Sequence, residues 1–195
     1  KIGNRHQLLI VGLTYRKRAI PIAWTWVKHA RGHSTGGKQL ALLAYVRRLI
    51  PLGAAVFLVG DCEFGSVPVL QQLDGWYWFY VLRQSSDTGI WFAEQEGWQP
   101  FGSHIQKPGQ SIWLGSGYLT ATHIYRVNLL VHWKRGEKEP WCLATNLPDK
   151  RMALRFYRFR GWIEEMFGDF KKHGFDLEQT RLCHIQRLSR LTLAV

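Results

Sequence analysis

Apolar and polar positions alternate along the chain in blocks that predict short strands and helices in turn. The segment "HQLLIVGLTYRKRAIPIAWTW" (6–26) has β-branched and aromatic residues on both sides of the polar "YRKR", which predicts an antiparallel hairpin. "KQLALLAYVRRLIP" (38–51) has helical periodicity that Pro51 ends. "AAVFLVGD" (54–61) begins with a continuous apolar run, which predicts a strand covered on both faces. This order favours an α/β domain with a mixed sheet.

The middle of the chain continues this order and then becomes β-rich. Ser66 with Pro68 just beyond it predicts the start of a helix over "VPVLQQLDG" (67–75), and "WYWFYVLRQ" (76–84) predicts another buried strand. From about residue 84 to 148, short strand-like pieces alternate with Gly, Pro and charged turns. Aromatic and branched residues continue through this stretch, so it is predicted to be a β-rich insertion and not a linker.

One long helix is predicted over "YRFRGWIEEMFGDFKK" (157–172). At about 100° per residue, its polar side chains Tyr157, Arg160, Glu164 and Lys171 fall within an arc of roughly 60°. Its exposed face would therefore present one carboxylate between two cations, although an accidental surface charge pattern stays open. The apolar residues of a different, core-facing stripe are Phe156, Phe159, Trp162, Ile163, Met166 and Phe170.

The net charge of the chain indicates which class of partner to expect. The 195 residues suit one domain with a sizeable core, and 26 Lys and Arg against 14 Asp and Glu give a net charge of +12. Such a field favours a polyanion, most simply a nucleic acid, although a basic protein that binds none also fits. Cys62, Cys142 and Cys183 form no Cys-x-x-Cys pair, which favours reduced thiols in the cytoplasm. The longest apolar run is too short to span a bilayer.

Two carboxylates are placed where they could serve chemistry. Asp61 directly follows the apolar run, at the carboxyl end of a predicted strand, where open α/β sheets place their ligand sites. It could instead cap the next helix, although Ser66 is better placed to do so. Asp61 and Glu164 lie on separate elements of a basic protein, which suggests divalent metal chemistry on phosphodiesters. Arg160 and Lys171 would then grip backbone phosphates, and Tyr157 could donate a hydrogen bond to another.

His29 and His33 in "HARGH" are a second candidate pair of metal ligands. The spacing of the two imidazoles suits a metal, but no helix or third ligand supports it. An ordinary loop is the favoured interpretation of this segment.

The spacing Tyr-x2-Arg-x3-Glu-x6-Lys, formed by Tyr157, Arg160, Glu164 and Lys171, resembles the signature of the insertion-sequence-four family of bacterial DDE transposases. "LVGDCEFGSVPVLQQL" is similar to that family's block around its second catalytic aspartate, here Asp61. "GHST" (32–35), "WYWFYVLRQ" and the β-rich insertion also lie where the family has them. The resemblance covers nearly the whole chain.

The resemblance implies a ribonuclease-H-like mixed sheet flanked by helices, with a β-rich insertion before the glutamate-bearing helix, in one catalytic domain over residues 1–195. It implies metal-dependent cleavage and strand transfer of transposon-end DNA. Two Mg²⁺ or Mn²⁺ ions would be expected in the complete site, with Asp61 and Glu164 among their ligands.

The resemblance also implies how DNA is held. Tyr157, Arg160 and Lys171 would contact its phosphates, and Trp141 would stack on a flipped-out base, although a core role for Trp141 is favoured. The partner would be double-stranded DNA, as transposon ends and target, bound by a dimer in the bacterial cytoplasm near the nucleoid, with no membrane involved.

The chain departs from the family at its first carboxylate. No Asp or Glu precedes Asp61, whereas the family's first catalytic aspartate lies on a strand ahead of the hairpin. That central strand would be missing, which would leave two unpaired inner strand edges. We therefore expect a fragment of a longer or interrupted transposase that is inactive and poorly stable alone. The main alternative is a non-catalytic DNA-binding remnant; the helix signature disfavours a nuclease of the same fold without strand transfer.

Overall fold

The computed structural model describes residues 6–28, 34–173, 180, 182 and 184–194. The chain divides into two compact units, the first formed by Lys1–Ala54 and Phe159–Val195 and the second by Ala55–Arg158. The strands are β1 (His6–Tyr15), β2 (Arg18–Lys28), β3 (Phe57–Gly60), β4 (Phe79–Gln84), β5 (Gly89–Trp91), β6 (Gln99–Pro100), β7 (Ser111–Leu119), β8 (Tyr125–His132) and β9 (Trp141–Thr145). The α-helices are α1 (Gly36–Leu49), α2 (Val67–Gly75), α3 (Lys150–Tyr157), α4 (Arg160–Gly168) and α5 (Ile185–Ala194).

In the first unit, the predicted hairpin is confirmed. β1 and β2 pair antiparallel from His6 opposite Lys28 to Tyr15 opposite Arg18, with a bulge between Val11 and Gly12. The predicted helix before Pro51 is also confirmed as α1. Both elements follow local signals, since branched and aromatic residues favour strands and proline ends a helix.

The core of the first unit joins the hairpin to two helices. Its buried side chains are Ile10, Trp26, Met166, Phe170 and Leu188. The indole of Trp26 also donates a hydrogen bond to the Thr192 hydroxyl at 3.0 Å, so β2 is held to α5 by polar as well as apolar contacts. Two residues of the predicted apolar stripe, Met166 and Phe170, are thus buried against the hairpin.

The second unit is built on a seven-stranded mixed sheet in the order β3-β4-β9-β8-β7-β5-β6. Only β3 and β4 are parallel, and the other neighbours pair antiparallel. Helix α2 contacts β4, and α3 contacts β3 and β4. The α/β class with a mixed sheet flanked by helices is therefore confirmed, and the predicted β-rich stretch contains β5 to β9.

The prediction that the apolar run ending at Gly60 is a strand covered on both faces is wrong. β3 lies at one edge of the sheet and pairs only with β4 among the described residues. None of its four residues is buried, and Phe57 is 37% exposed. The ring of Phe57 stacks on Phe156 and Phe79, with ring centroids 4.0 Å and 4.8 Å apart. An apolar run reports hydrophobicity but not the number of neighbouring strands, so the sequence could not distinguish an edge from a central position.

The single helix predicted over residues 157–172 is also wrong. Helix α3 ends at Tyr157, a turn occupies Arg158 and Phe159, and α4 begins at Arg160. A π-helical turn, Asp169–His173, follows α4. Gly174, the predicted end of the helix, lies outside the described residues. The boundary between the two units falls at this turn, which separates Tyr157 from the other polar residues of the predicted face.

A half-buried polar network ties α2 to the sheet of the second unit. The Asp74 carboxylate accepts hydrogen bonds from the hydroxyls of Tyr80 (3.2 Å) and Tyr125, and from the side-chain amide of Asn146 at 2.8 Å. The Asn146 amide also donates to the Trp78 carbonyl at 2.9 Å, and its oxygen accepts from the Tyr80 N–H at 2.9 Å. The network thus joins α2, β4 and β8 to the end of β9.

No described helix combines the length and apolar character needed to cross a bilayer.

Candidate functional site

Asp61 is presented by the parallel pair of strands in the second unit. It comes directly after β3, at the carboxyl end of the strand, and it is exposed. Its Oδ1 accepts a hydrogen bond from the Glu63 N–H at 3.1 Å and so caps the short 3-10 turn Cys62–Phe64. Ser66 occupies the N-cap position of α2, as predicted, but its hydroxyl makes no capping hydrogen bond within the described residues. The capping interpretation of Asp61 is therefore right for this turn but not for α2. A carboxylate that accepts one N–H retains lone pairs for a cation.

Gly65 fixes the turn that carries Asp61 against β4. A Cβ at position 65 would lie 2.7 Å from the Arg83 carbonyl oxygen and 2.6 Å from the side-chain nitrogen of Gln84. Both distances are below any ordinary contact, so only glycine fits while the turn keeps its place. Sequence reasoning did not single out Gly65, although a glycine closing "DCEFG" after an apolar run is a signal of a tight turn.

Glu164 lies on α4 of the first unit. Its side chain is 58% exposed, whereas Met166 on the same helix is only 7% exposed. The Glu164 carboxylate accepts a hydrogen bond from the Arg160 guanidinium, which is four residues earlier and 20% exposed. The structure therefore brings these two predicted site residues together as an ion pair. Exposed pairs of this spacing contribute little to stability, about 0.3–0.5 kcal/mol.

Lys171 is exposed and lies within the π-helical turn Asp169–His173. A π-helical turn bonds residue i to i+5 and rotates less per residue than an α-helix. The arc of roughly 60° worked out for a regular helix therefore does not apply to Lys171.

Tyr157 occupies a different environment from the exposed one predicted. It is 1% exposed and belongs to a core cluster of the second unit with Val81, Leu130 and Leu143. Its ring lies edge-on to Trp141, with centroids 5.0 Å apart. The reason is the end of α3: the last turn of this helix packs on the sheet, and the predicted face does not continue through residue 158.

Trp141 begins β9 and is half-buried against the same cluster. Across the strands it lies opposite His132, with ring centroids 5.3 Å apart. Burial, with help from the positive charges of Arg158, Lys134 and Lys150, lowers the pKa of His132 below its usual value. Trp141 thus takes part in the core, the role that the abundance of Trp in this chain favours.

The two carboxylates belong to different units, Asp61 to the second and Glu164 to the first. Carboxylate oxygens are the donors that Mg²⁺ and Mn²⁺ prefer, so each side chain is suited to such an ion. Within the described residues there is no group of three or more His, Cys, Asp or Glu side chains placed to hold a metal. His29 and His33 lie outside the described residues.

Positive charge is distributed unevenly between the units. Residues 1–54 and 159–195 contain 16 Lys and Arg against 5 Asp and Glu, whereas residues 55–158 contain 10 against 9. The excess of positive charge therefore belongs to the first unit. A polyanion would be attracted mainly to this unit.

No family model matches the chain, and no curated protein matches it.

Proposed function

We propose that the chain is part of a DDE transposase that cleaves transposon-end DNA and joins it to a target in a metal-dependent reaction. The observation that supports this most is the position of Asp61, exposed on a fixed turn at the carboxyl end of a parallel strand pair. The finer assignment of a ribonuclease-H-like sheet belongs to the same proposal.

Asp61 and Glu164 would hold the metal ions together with an aspartate that is absent before residue 61. When bound, such ions activate a water or a 3′-hydroxyl and stabilise the leaving oxygen. The exposed Lys171 would contact a backbone phosphate, and Arg160 would orient the Glu164 carboxylate that it pairs with. Tyr157 would support Trp141 from the core side if Trp141 stacks on a base. The protein would act as a dimer on paired DNA ends in the bacterial cytoplasm.

Iron-directed backbone cleavage tests the shared metal site without relying on catalysis. Fe²⁺ loaded in place of Mg²⁺, with ascorbate and peroxide, generates radicals that cut the chain close to the ion. We expect cuts near both residue 61 and residue 164, and Asp61→Asn should abolish both because the ligands share ions. Asp87→Asn, which changes another exposed acid of the second unit, is the matched control. Cuts near residue 164 that survive in Asp61→Asn would refute the shared site.

DNA cleavage and DNA binding test the remaining parts of the proposal. With Mg²⁺ and end DNA the chain alone should not cleave, since one carboxylate is absent; strand cleavage would contradict that expectation. Lys171→Ala should lower the slope of log affinity against log salt by about one unit, the value for one phosphate contact. An unchanged slope would remove Lys171 from the phosphate contacts.

A non-catalytic DNA-binding remnant is the second candidate function. The uneven charge favours it, because the first unit could hold DNA through its cations whether or not a metal binds. Salt-dependent DNA binding together with no iron-directed cut at either carboxylate would select this alternative.

A further inference from the structure

The tip of the β1–β2 hairpin has a backbone conformation that its residues disfavour. The strands are joined by a two-residue turn at Arg16 and Lys17, whose φ angles are 48° and 64°. Two-residue hairpin turns with positive φ strongly prefer Asn-Gly or similar pairs, because a Cβ is crowded in this region. The chain instead has two long cationic side chains there. Because Asn and Gly would suit these two positions better, we infer that the two cations serve a role other than folding.

One face of the hairpin tip is apolar and exposed. Leu13 lies opposite Ile20, and Tyr15 lies opposite Arg18, so these four side chains share a face of the two-stranded ribbon. Leu13, Tyr15 and Ile20 are 56%, 54% and 47% exposed.

The reverse face of the tip is anchored. It carries Thr14 and Ala19, and Ala19 packs against the core of the first unit. The core therefore fixes one side of the ribbon and leaves the other to solvent.

Charge determines which partner suits this face. Arg16, Lys17 and Arg18 are consecutive, and no Asp or Glu occurs in the first 60 residues. The Arg16 guanidinium lies over the Tyr15 ring, 5.2 Å from its centroid, so cationic and aromatic surfaces adjoin. A partner that offers both negative charge and flat apolar surface is complementary to this face. A nucleic acid offers phosphates and bases together.

We propose that the hairpin tip, formed by Leu13, Tyr15, Arg16, Lys17, Arg18 and Ile20, is a DNA-contacting ribbon that enters the major groove of a duplex. That groove is wide enough to admit a two-stranded β-ribbon. The cations at the turn contact phosphates on either side, and Tyr15, Leu13 and Ile20 lie against base edges and thymine methyl groups. This surface belongs entirely to the first unit and does not depend on the proposed metal chemistry.

The double variant Arg16→Asn with Lys17→Gly separates a binding role from a folding role. It installs the turn sequence that the observed φ angles favour, so the thermal midpoint of unfolding should rise. It also removes two charges, so affinity for a mixed-sequence DNA duplex should fall about tenfold or more, and the salt slope should fall by about two units. Opposite changes in stability and affinity are expected only if the two cations contact DNA.

The matched control is Lys38→Gln with Arg48→Gln, which removes two exposed cations from α1 in the same unit. Its salt slope should stay close to that of the wild type. Tyr15→Ala should weaken binding several-fold with no change in slope, because an uncharged contact releases no counterions. If the double variant unfolds, Lys17→Asn tests the same claim through an expected slope loss of about one unit.

Three results would overturn the proposal. The first is wild-type affinity and slope in the hairpin variant. The second is an equal loss in the control, because overall charge would then explain the binding. The third is loss of binding to phosphatidylserine vesicles in the hairpin variant while duplex binding is retained, which would identify a membrane surface as the partner. None of these results bears on the iron-directed cuts at Asp61 and Glu164.

Discussion

Removal of the Asp74 carboxylate should destabilise the second unit more than any exposed acid would. Asp74→Ala deletes the acceptor for the hydroxyls of Tyr80 and Tyr125 and for the Asn146 amide. Each hydrogen bond to a charged group contributes about 1.5–3 kcal/mol, but neighbouring bonds do not add fully. Tyr80 is 1% exposed, so its hydroxyl cannot turn to bulk water. We therefore expect a loss of about 3 kcal/mol in the free energy of unfolding.

Urea denaturation measures this loss directly. A decrease of about 3 kcal/mol corresponds to a midpoint lowered by roughly 1–3 M for a typical urea dependence. Asp74→Asn should have an intermediate effect, because an amide retains one acceptor oxygen but loses the charge. Asp87→Ala, an exposed acid of the same unit, should change the free energy by less than about 0.5 kcal/mol.

A local measurement checks the same reasoning. The Tyr80 N–H donates to the Asn146 side chain, which the Asp74 carboxylate holds in place. Hydrogen exchange of this N–H should accelerate in Asp74→Ala. A loss below about 1 kcal/mol with unchanged exchange would show that the network contributes little, which would refute this account.

Three further predictions concern the same unit. Burial and the Asp74 carboxylate raise the pKa of Tyr80 and Tyr125 in the folded protein. The unfolded chain therefore releases these phenolic protons at a lower pH than the folded protein does, and stability should fall as the pH rises above about 10. A urea midpoint that does not fall over this pH range would contradict the prediction. Gly65→Ala should lower the thermal midpoint because of the contacts at 2.6 Å and 2.7 Å, whereas Gly75→Ala, whose Cβ would have its nearest contact at 3.8 Å, should not. Asp149→Ala removes the carboxylate that caps α3 by accepting a hydrogen bond from the Met152 N–H at 2.9 Å. The free energy of unfolding measured by urea denaturation should fall by about 1 kcal/mol. No measurable loss would exclude this cap as a source of stability.

Elements whose signals are local follow from the sequence alone. The hairpin, α1 and α2 lie close to where periodicity, Pro51 and Ser66 predict them. The α/β class follows from their order. The sequence also identifies the residue types that could bind metal and phosphate, since carboxylates and cations are recognised from their chemistry alone. The assignment of their roles stays a prediction.

The number of neighbours of each element, and the points at which a continuous pattern is interrupted, depend on the tertiary structure. Within the described residues β3 is an edge strand although its composition is that of a central one, because strand pairing depends on distant segments. The amphipathic pattern of residues 157–172 continues across the turn at residues 158 and 159, which the sequence does not signal with Gly or Pro. Tyr157 is consequently buried on the sheet while Glu164 is exposed, since packing against separate cores determines which side of each helix faces inward.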